Sequence, residues 1–281
     1  MIEMHPIIKK ITDIYFGEMP KSMQEKITGF CIYGSATMSD FHYLNSDIDF
    51  VAITSAELAL EEIKVLEQIH KNITYLFPKP QLNGIYITEK DIEKGLDCLD
   101  ESYHYFEGKM GRGDFELNQV TWYQLKQNAY WLKREKEFTI KLNMDTLIDE
   151  MHQNLHEYWR NWIDSHKKIL SLKGLKLKYS NEDIEWGILG ICRQCYTFDT
   201  HKITSKKQSG EYMLEQVPLG YKKVIQEAIS IRKGNGVSLY SKIGHRKKDC
   251  IECMEYLYAY AEEAYQKKNY SEKLKNIDTG R

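Results

Sequence analysis

The sequence predicts an α+β protein in two parts: an amino-terminal α/β domain with a mixed sheet, residues 1–110, followed by an all-helical bundle, residues 111–281. Three observations predict it. Before residue 90, short apolar runs with strand-like alternation are interleaved with segments of helical period. Beyond residue 118 the apolar positions recur almost entirely at helical spacing. Between the two lies GKMGRGDF, residues 108–115, whose three glycines suit a hinge or boundary.

Taking the elements in order, Ile7, Ile8, Ile11, Ile14 and Tyr15 share one face of a helix expected over residues 6–27. Phe30–Tyr33, ended by Gly34, reads as a buried strand. A loop leads to a second strand over 47–54, where Ile48, Phe50 and Ala52 alternate with Asp47, Asp49 and Val51, giving one core face. Leu58, Leu60, Ile63, Leu66 and Ile69 mark an amphipathic helix over 56–70. Pro78 and Pro80 break the chain before a third strand, Leu82–Thr88. In the second part, helices are expected over 118–136, 142–172, 183–200, 209–214, 221–232 and 244–268. The Lys-rich tail, 267–281, reads as a fraying end.

Composition narrows the function. A 281-residue chain that is 42% hydrophobic and 28% charged is that of an ordinary globular protein long enough for two domains. A net charge of −2 argues against a protein built to hold nucleic acid, which needs a basic excess. No apolar run approaches the roughly 20 residues that span a bilayer, and the amino terminus has no export-signal pattern. A cytoplasmic location without a membrane partner is therefore expected, and with it reduced thiols at the six cysteines. Cys192/Cys195 and Cys250/Cys253 have the spacing of zinc pairs. Both lie in helical segments, where that spacing puts two small apolar residues on one face, so core packing is expected.

The segment YGSATMSDFHYLNSDIDFVAIT, residues 33–54, carries the chemistry. Asp47 and Asp49 project from one strand face, about 7 Å apart by the strand rise. Such a pair suits a hard divalent cation, and magnesium in particular, which takes few carboxylates along with waters and substrate phosphate oxygens. Gly34-Ser35 supplies the other half: glycine admits phosphate close to the backbone, and amides and the hydroxyl donate to it. Ser46 is a second hydroxyl donor. Strand, Gly-Ser, loop and Asp-x-Asp in that order are far more specific than either motif alone.

That arrangement resembles the nucleotidyltransferase superfamily founded on DNA polymerase β. Residues 185–218 and 221–234 are similar to the helical domain of streptomycin/spectinomycin (aminoglycoside) adenylyltransferases, with Arg193 and Tyr196 on one helix, then Thr200, His201, Ser205 and Lys206 at a turn, and Pro218 beyond. Residues 115–131 resemble the helix that opens this domain. The resemblance implies transfer of AMP, or another nucleoside monophosphate, from a magnesium-bound triphosphate such as ATP to a hydroxyl of a small aminoglycoside- or aminocyclitol-like acceptor. It implies Asp47 and Asp49 as metal ligands and catalytic residues. Gly34, Ser35, Ser46 and Lys206 are implied as nucleotide contacts, and Arg193 and Tyr196 as lining or bracing the substrate cleft. A protein- or RNA-nucleotidylating enzyme and a degenerate nucleotide sensor are the alternatives.

One departure matters. The family places a glutamate general base on the strand after Asp-x-Asp, and Asn83 stands there. An amide cannot take the proton. Glu89, Asp100 and Glu101 are the carboxylates that follow. Elsewhere, His152 and His156 share a helix face, but no third ligand accompanies them except Glu157, which points elsewhere around the helix, so a polar or bundle-packing face is expected over a metal site. Trp122, Tyr123, Tyr130, Trp131, Trp159 and Trp162 read as core. Glu182, Asp183, Glu185 and Asp199 are candidates for a carboxylate rim facing a cationic acceptor, with helix-start and surface charges the favoured reading.

Overall fold

A computed structural model describes residues 4–96, 99–168 and 172–278. Cys98 and the last residues of the tail, 279–281, lie outside them. The chain divides into two compact units, Met1–Asn143 and Met144–Arg281.

In the first unit, helices α1 (Pro6–Gly17) and α2 (Lys21–Lys26) replace the single helix expected over 6–27. Pro20 is the reason: it has no amide hydrogen to continue α1 and instead caps α2. Strand β1 (Ile27–Tyr33) runs into a 3-10 turn, Gly34–Ala36, and β2 (Ile48–Thr54) follows. Helix α3 (Leu60–Leu76) starts later and runs further than expected; it buries Ile63, Leu66, Ile69 and Ile73, while Leu60 is exposed. Then come β3 (Leu82–Thr88), the short α4 (Glu89–Lys94), and β4 (Ser102–Phe106) with β5 (Lys109–Gly113). Helix α5 (Gln119–Gln127) and β6 (Tyr130–Arg134) complete the unit's regular elements.

The six strands form one sheet in the order β5-β4-β3-β2-β1-β6. Only β2 and β3 are parallel, which the intervening helix α3 permits; the other pairs are antiparallel. Both faces are buried, where the sequence suggested one. Phe30, Ile32, Phe50 and Ala52 pack under α1 and α3. Cys31, Tyr33, Val51, Ile53, Ile85 and Ile87 pack against Trp122, Leu125, Phe138 and Ile140.

The two units divide after Asn143, beyond the 110/111 expected from the sequence. The glycines of 108–115 serve a hairpin rather than a hinge, since Tyr105 pairs with Met110 and Phe106 with Lys109 across the turn. The expected helix over 118–136 ends at Gln127, and Tyr130–Arg134 pairs with β1 instead. Edge pairing there overrides the helical spacing, and it carries the first unit on to Asn143.

The second unit is helical: α6 (Met144–Asn154), a π-helical turn (Leu155–Trp159), α7 (Arg160–Lys167), α8 (Leu172–Lys176), α9 (Asn181–Thr200), α10 (Lys206–Gln216), α11 (Leu219–Arg232) and α12 (Ile243–Asp278). Helix α9 is buried nearly all round, which fits its position among α10, α11 and α12. Cys192, Cys195, Cys250 and Cys253 are free and fully buried, as core packing requires. Burial pushes the Cys250 thiol up to about 12, and no metal cluster includes a cysteine among the described residues.

Candidate active site

The first site elements are built by two strand ends. Tyr33, the last residue of β1, pairs with Asp49 of β2, and Asp49 pairs in turn with Asn83 of β3. Paired residues project to the same face, so Tyr33, Asp49 and Asn83 form a row. Gly34 follows with φ +72°, in the left-handed region that favours glycine. A Cβ built there would meet Asp49 Oδ2 at 2.2 Å. The Gly-Ser turn and the Asp-x-Asp strand are therefore in contact: the Asp49 carboxylate lies against the Gly34 backbone. The turn is braced from behind, because the Gly34 carbonyl accepts from both the amide and the hydroxyl of Thr37 and the Ser35 carbonyl accepts from the Asp40 amide.

Asp47 precedes β2, half-exposed, and pairs with Lys79 at 3.2 Å. Ser46 is buried, and its Oγ accepts from the His42 amide at 3.0 Å, closing the 42–46 turn in front of Asp47. Ser35 is half-buried within the 3-10 turn. Asp47 and Asp49 offer hard carboxylate oxygens at a partly exposed strand end, where waters and phosphate oxygens can complete a coordination sphere; that donor set fits magnesium.

Asn83 is 3% exposed, and its Oδ1 has no hydrogen-bond partner among the described residues. The carboxylates that the sequence offered in place of a glutamate lie elsewhere. Strand β4 pairs Tyr103 with Tyr86 and Tyr105 with Gly84, so Asp100 and Glu101 stand beyond the opposite end of β3. Glu101 pairs there with Arg112, and Glu89 with Lys136 at 2.7 Å. Glu116 is the carboxylate that comes to the Tyr33 side: its Oε2 accepts from the Tyr33 hydroxyl at 3.3 Å and from Thr121 Oγ1 at 2.6 Å. Burial, with the Glu116 and Asp49 carboxylates added to it, holds the Tyr33 phenol well above its ordinary pKa. Sequence reasoning missed Glu116 because 83 positions separate it from Tyr33. Its one local signal is a cap-like position just before Asn118, which caps α5.

The second unit gathers its own charged group. Lys206 opens α10 after the cap Ser205, and its ammonium lies 3.2 Å from Glu185 of α9 and 4.6 Å from the centre of the Trp186 ring. Arg232, at the end of α11, reaches the same carboxylate at 3.6 Å. Glu185 is therefore buried and ion-paired, which corrects its reading as a surface charge. Burial, joined by the positive charges of Arg232 and Arg193, lowers the Lys206 pKa from its ordinary value; Glu185 opposes the shift. Arg193 is exposed, and Tyr196 packs edge-on against Tyr212. Asp199 accepts from Tyr212 and Tyr260 and is likewise more than a solvated charge. His201 ends α9 in the left-handed conformation at φ +56°, a region that favours glycine. A groove of about 480 Å³ in the first unit is lined by residues between Leu125 and Ile140, none of them a residue of either group.

Residues 161–259 match the family model of the aminoglycoside adenylyltransferase C-terminal domain. That match covers most of the helical second unit and none of the sheet-bearing first unit. The fold is also that of a particular solved structure, the spectinomycin adenyltransferase AAD(9) from Enterococcus faecialis with ATP and spectinomycin. The TM-score is 0.66 at 17% identity, over 90% of this chain and 99% of that one. No curated protein sequence matches the chain. Among the described residues, no helix is long and apolar enough to cross a membrane.

Proposed function

We propose that the protein transfers AMP, or another nucleoside monophosphate, from a magnesium-bound triphosphate to a hydroxyl of an aminoglycoside- or aminocyclitol-like acceptor, a reaction that confers antibiotic resistance. The observation that carries this reading is the contact between Gly34 and the Asp49 carboxylate. It supports the reading by setting the glycine turn beside an acid able to hold the cation of a triphosphate. The C-terminal family match and the similar fold of a spectinomycin adenyltransferase solved with ATP and spectinomycin support the substrate class. Among the described residues five cysteines are free and buried, which accords with the cytoplasm as the place of action.

In this reading Asp47 and Asp49 hold magnesium, which neutralises triphosphate charge and favours departure of pyrophosphate. Gly34 and Ser35 receive phosphate oxygens, with Ser46 fixing the turn that presents Asp47. Lys206, Arg232 and Arg193 outnumber Glu185 and leave a positive group suited to phosphate. Glu116 takes the proton of the acceptor hydroxyl in place of the amide at Asn83. Its support is its hydrogen bond to Tyr33, the neighbour of Asp49.

The test is magnesium-dependent pyrophosphate release with each nucleoside triphosphate and a panel of aminoglycosides and aminocyclitols, with the Asp47→Ala, Asp49→Ala double variant as blank. Release that requires one acceptor and vanishes in the blank supports the transferase. Nucleotide binding without release for any acceptor would replace it with a nucleotide sensor, a reading that Asn83 favours.

A further inference from the structure

The helical unit holds a second constellation that nucleotidyl transfer does not use. His152 sits near the end of α6 and His156 in the π-helical turn that follows. Their Nε2 atoms lie 3.1 Å apart. Helix α12 brings Glu262 to the same point, its Oε2 2.9 Å from His152 Nε2 and 3.0 Å from His156 Nε2. Three donor atoms thus form a nearly equilateral triangle from residues 106 and 110 positions apart.

We propose that His152, His156 and Glu262 bind a zinc-class divalent transition metal. Zinc bound by histidine nitrogen and carboxylate oxygen has bonds of about 2.0–2.2 Å, so ligand atoms on one face of its tetrahedron stand roughly 3.3 Å apart. The triangle reaches that spacing by opening a few tenths of an ångström. Two imidazoles and one carboxylate suit zinc, nickel or copper rather than magnesium, which takes oxygen. His156 is 46% exposed on its side chain, leaving a path for the ion and a fourth position for water.

The surroundings fit ligands more than a chance contact. The Tyr258 hydroxyl lies 2.7 Å from His156 Nδ1, the outer partner that orients a metal-bound imidazole through its second nitrogen. The Tyr265 ring stacks on His152 at 3.7 Å and 6°, fixing its plane. The π turn carries one of the two histidines, and such turns concentrate at functional sites. A bound ion would clip the α6 end to α12.

The experiment uses the untagged full-length chain. Cobalt(II) is titrated in and read by the visible absorption of a tetrahedral site, then displaced with zinc; a large excess of magnesium is the competitor. His156→Asn, at the exposed vertex, and Glu262→Gln are read beside the Asp47→Ala, Asp49→Ala variant. The expected result is one cobalt per chain, displaced by zinc and untouched by magnesium. Affinity should fall at least 100-fold in both vertex variants and stay unchanged in the aspartate variant. Absence of the band in the unaltered chain, or a band that persists in folded His156→Asn and Glu262→Gln, overturns the proposal.

Discussion

Replacing Gly34 by alanine separates two costs that the structure lets one work out. The backbone there has φ +72°, and a side chain in that region costs about 1–2 kcal/mol. The added Cβ would also stand 2.2 Å from Asp49 Oδ2, whereas a carbon and an oxygen rest at about 3.3 Å, so the carboxylate must retreat by about 1 Å. Gly108 supplies the control. Its φ is +80°, and a Cβ added there would have nothing within 4 Å, so Gly108→Ala carries the backbone cost alone. Each variant should lower Tm by a few degrees, at roughly 2–4 °C per kcal/mol for a chain of this order. Only Gly34→Ala should lose turnover, by roughly 100-fold, the usual cost of misplacing a reacting group by an ångström. The assay is acceptor-dependent pyrophosphate release on both variants, with melting curves on the same samples. Turnover in Gly34→Ala within a few-fold of Gly108→Ala would refute the placement of Asp49 at the phosphate.

Further predictions rest on other contacts. Glu116→Gln should lower kcat about 100-fold with KM little changed; a variant whose kcat stays within a few-fold would dismiss Glu116 as the base. Glu255, held by Arg160 and Lys167, has its pKa lowered from 4.5 to about 2. A depressed carboxylate stabilises the fold above its unfolded pKa and loses that contribution as pH falls through the folded one. The stability gap between the unaltered chain and Glu255→Gln, followed by urea unfolding, should therefore be full above pH 4.5 and close towards pH 2. In the helical unit, a Cβ at Gly190 would come within 2.1 Å of the buried Trp159 ring. Gly190→Ala should destabilise by about 1–3 kcal/mol through overpacking, measured by denaturant midpoint. An unchanged midpoint would mean that α9 and the π turn are not tightly packed there.

Much of the fold is legible in the sequence. Alternation of apolar residues places β1, β2 and β3, because strand period and burial are set locally, and Gly34 marks the end of β1 for the same reason. The Asp-x-Asp strand could be paired in thought with the Gly-Ser turn, since an antiparallel partner of a known motif leaves few registers. The helical half is legible from its period, and α9 and α11 begin within two residues of where it puts them.

Other features depended on partners that no local window contains. Tyr130–Arg134 has aromatic residues that serve either a helix or an edge strand, and the free edge of β1 decided between them. That pairing moved the division of the chain from 110/111 to 143/144. Two buried sheet faces, the ion pair that takes Glu185 out of solvent, and Glu116 beside Tyr33 all arise from residues far apart in sequence. His152 and His156 were visible as a pair, but their third vertex, Glu262, enters only when α12 packs against α6 and the π turn. Sequence thus determined β1, β2, β3 and most helices of the second half, and singled out the residues proposed for phosphate chemistry, because dihedral preference and side-chain period act over a few residues. Tertiary structure alone decided which distant side chains share a point, because that is fixed by how buried faces pack.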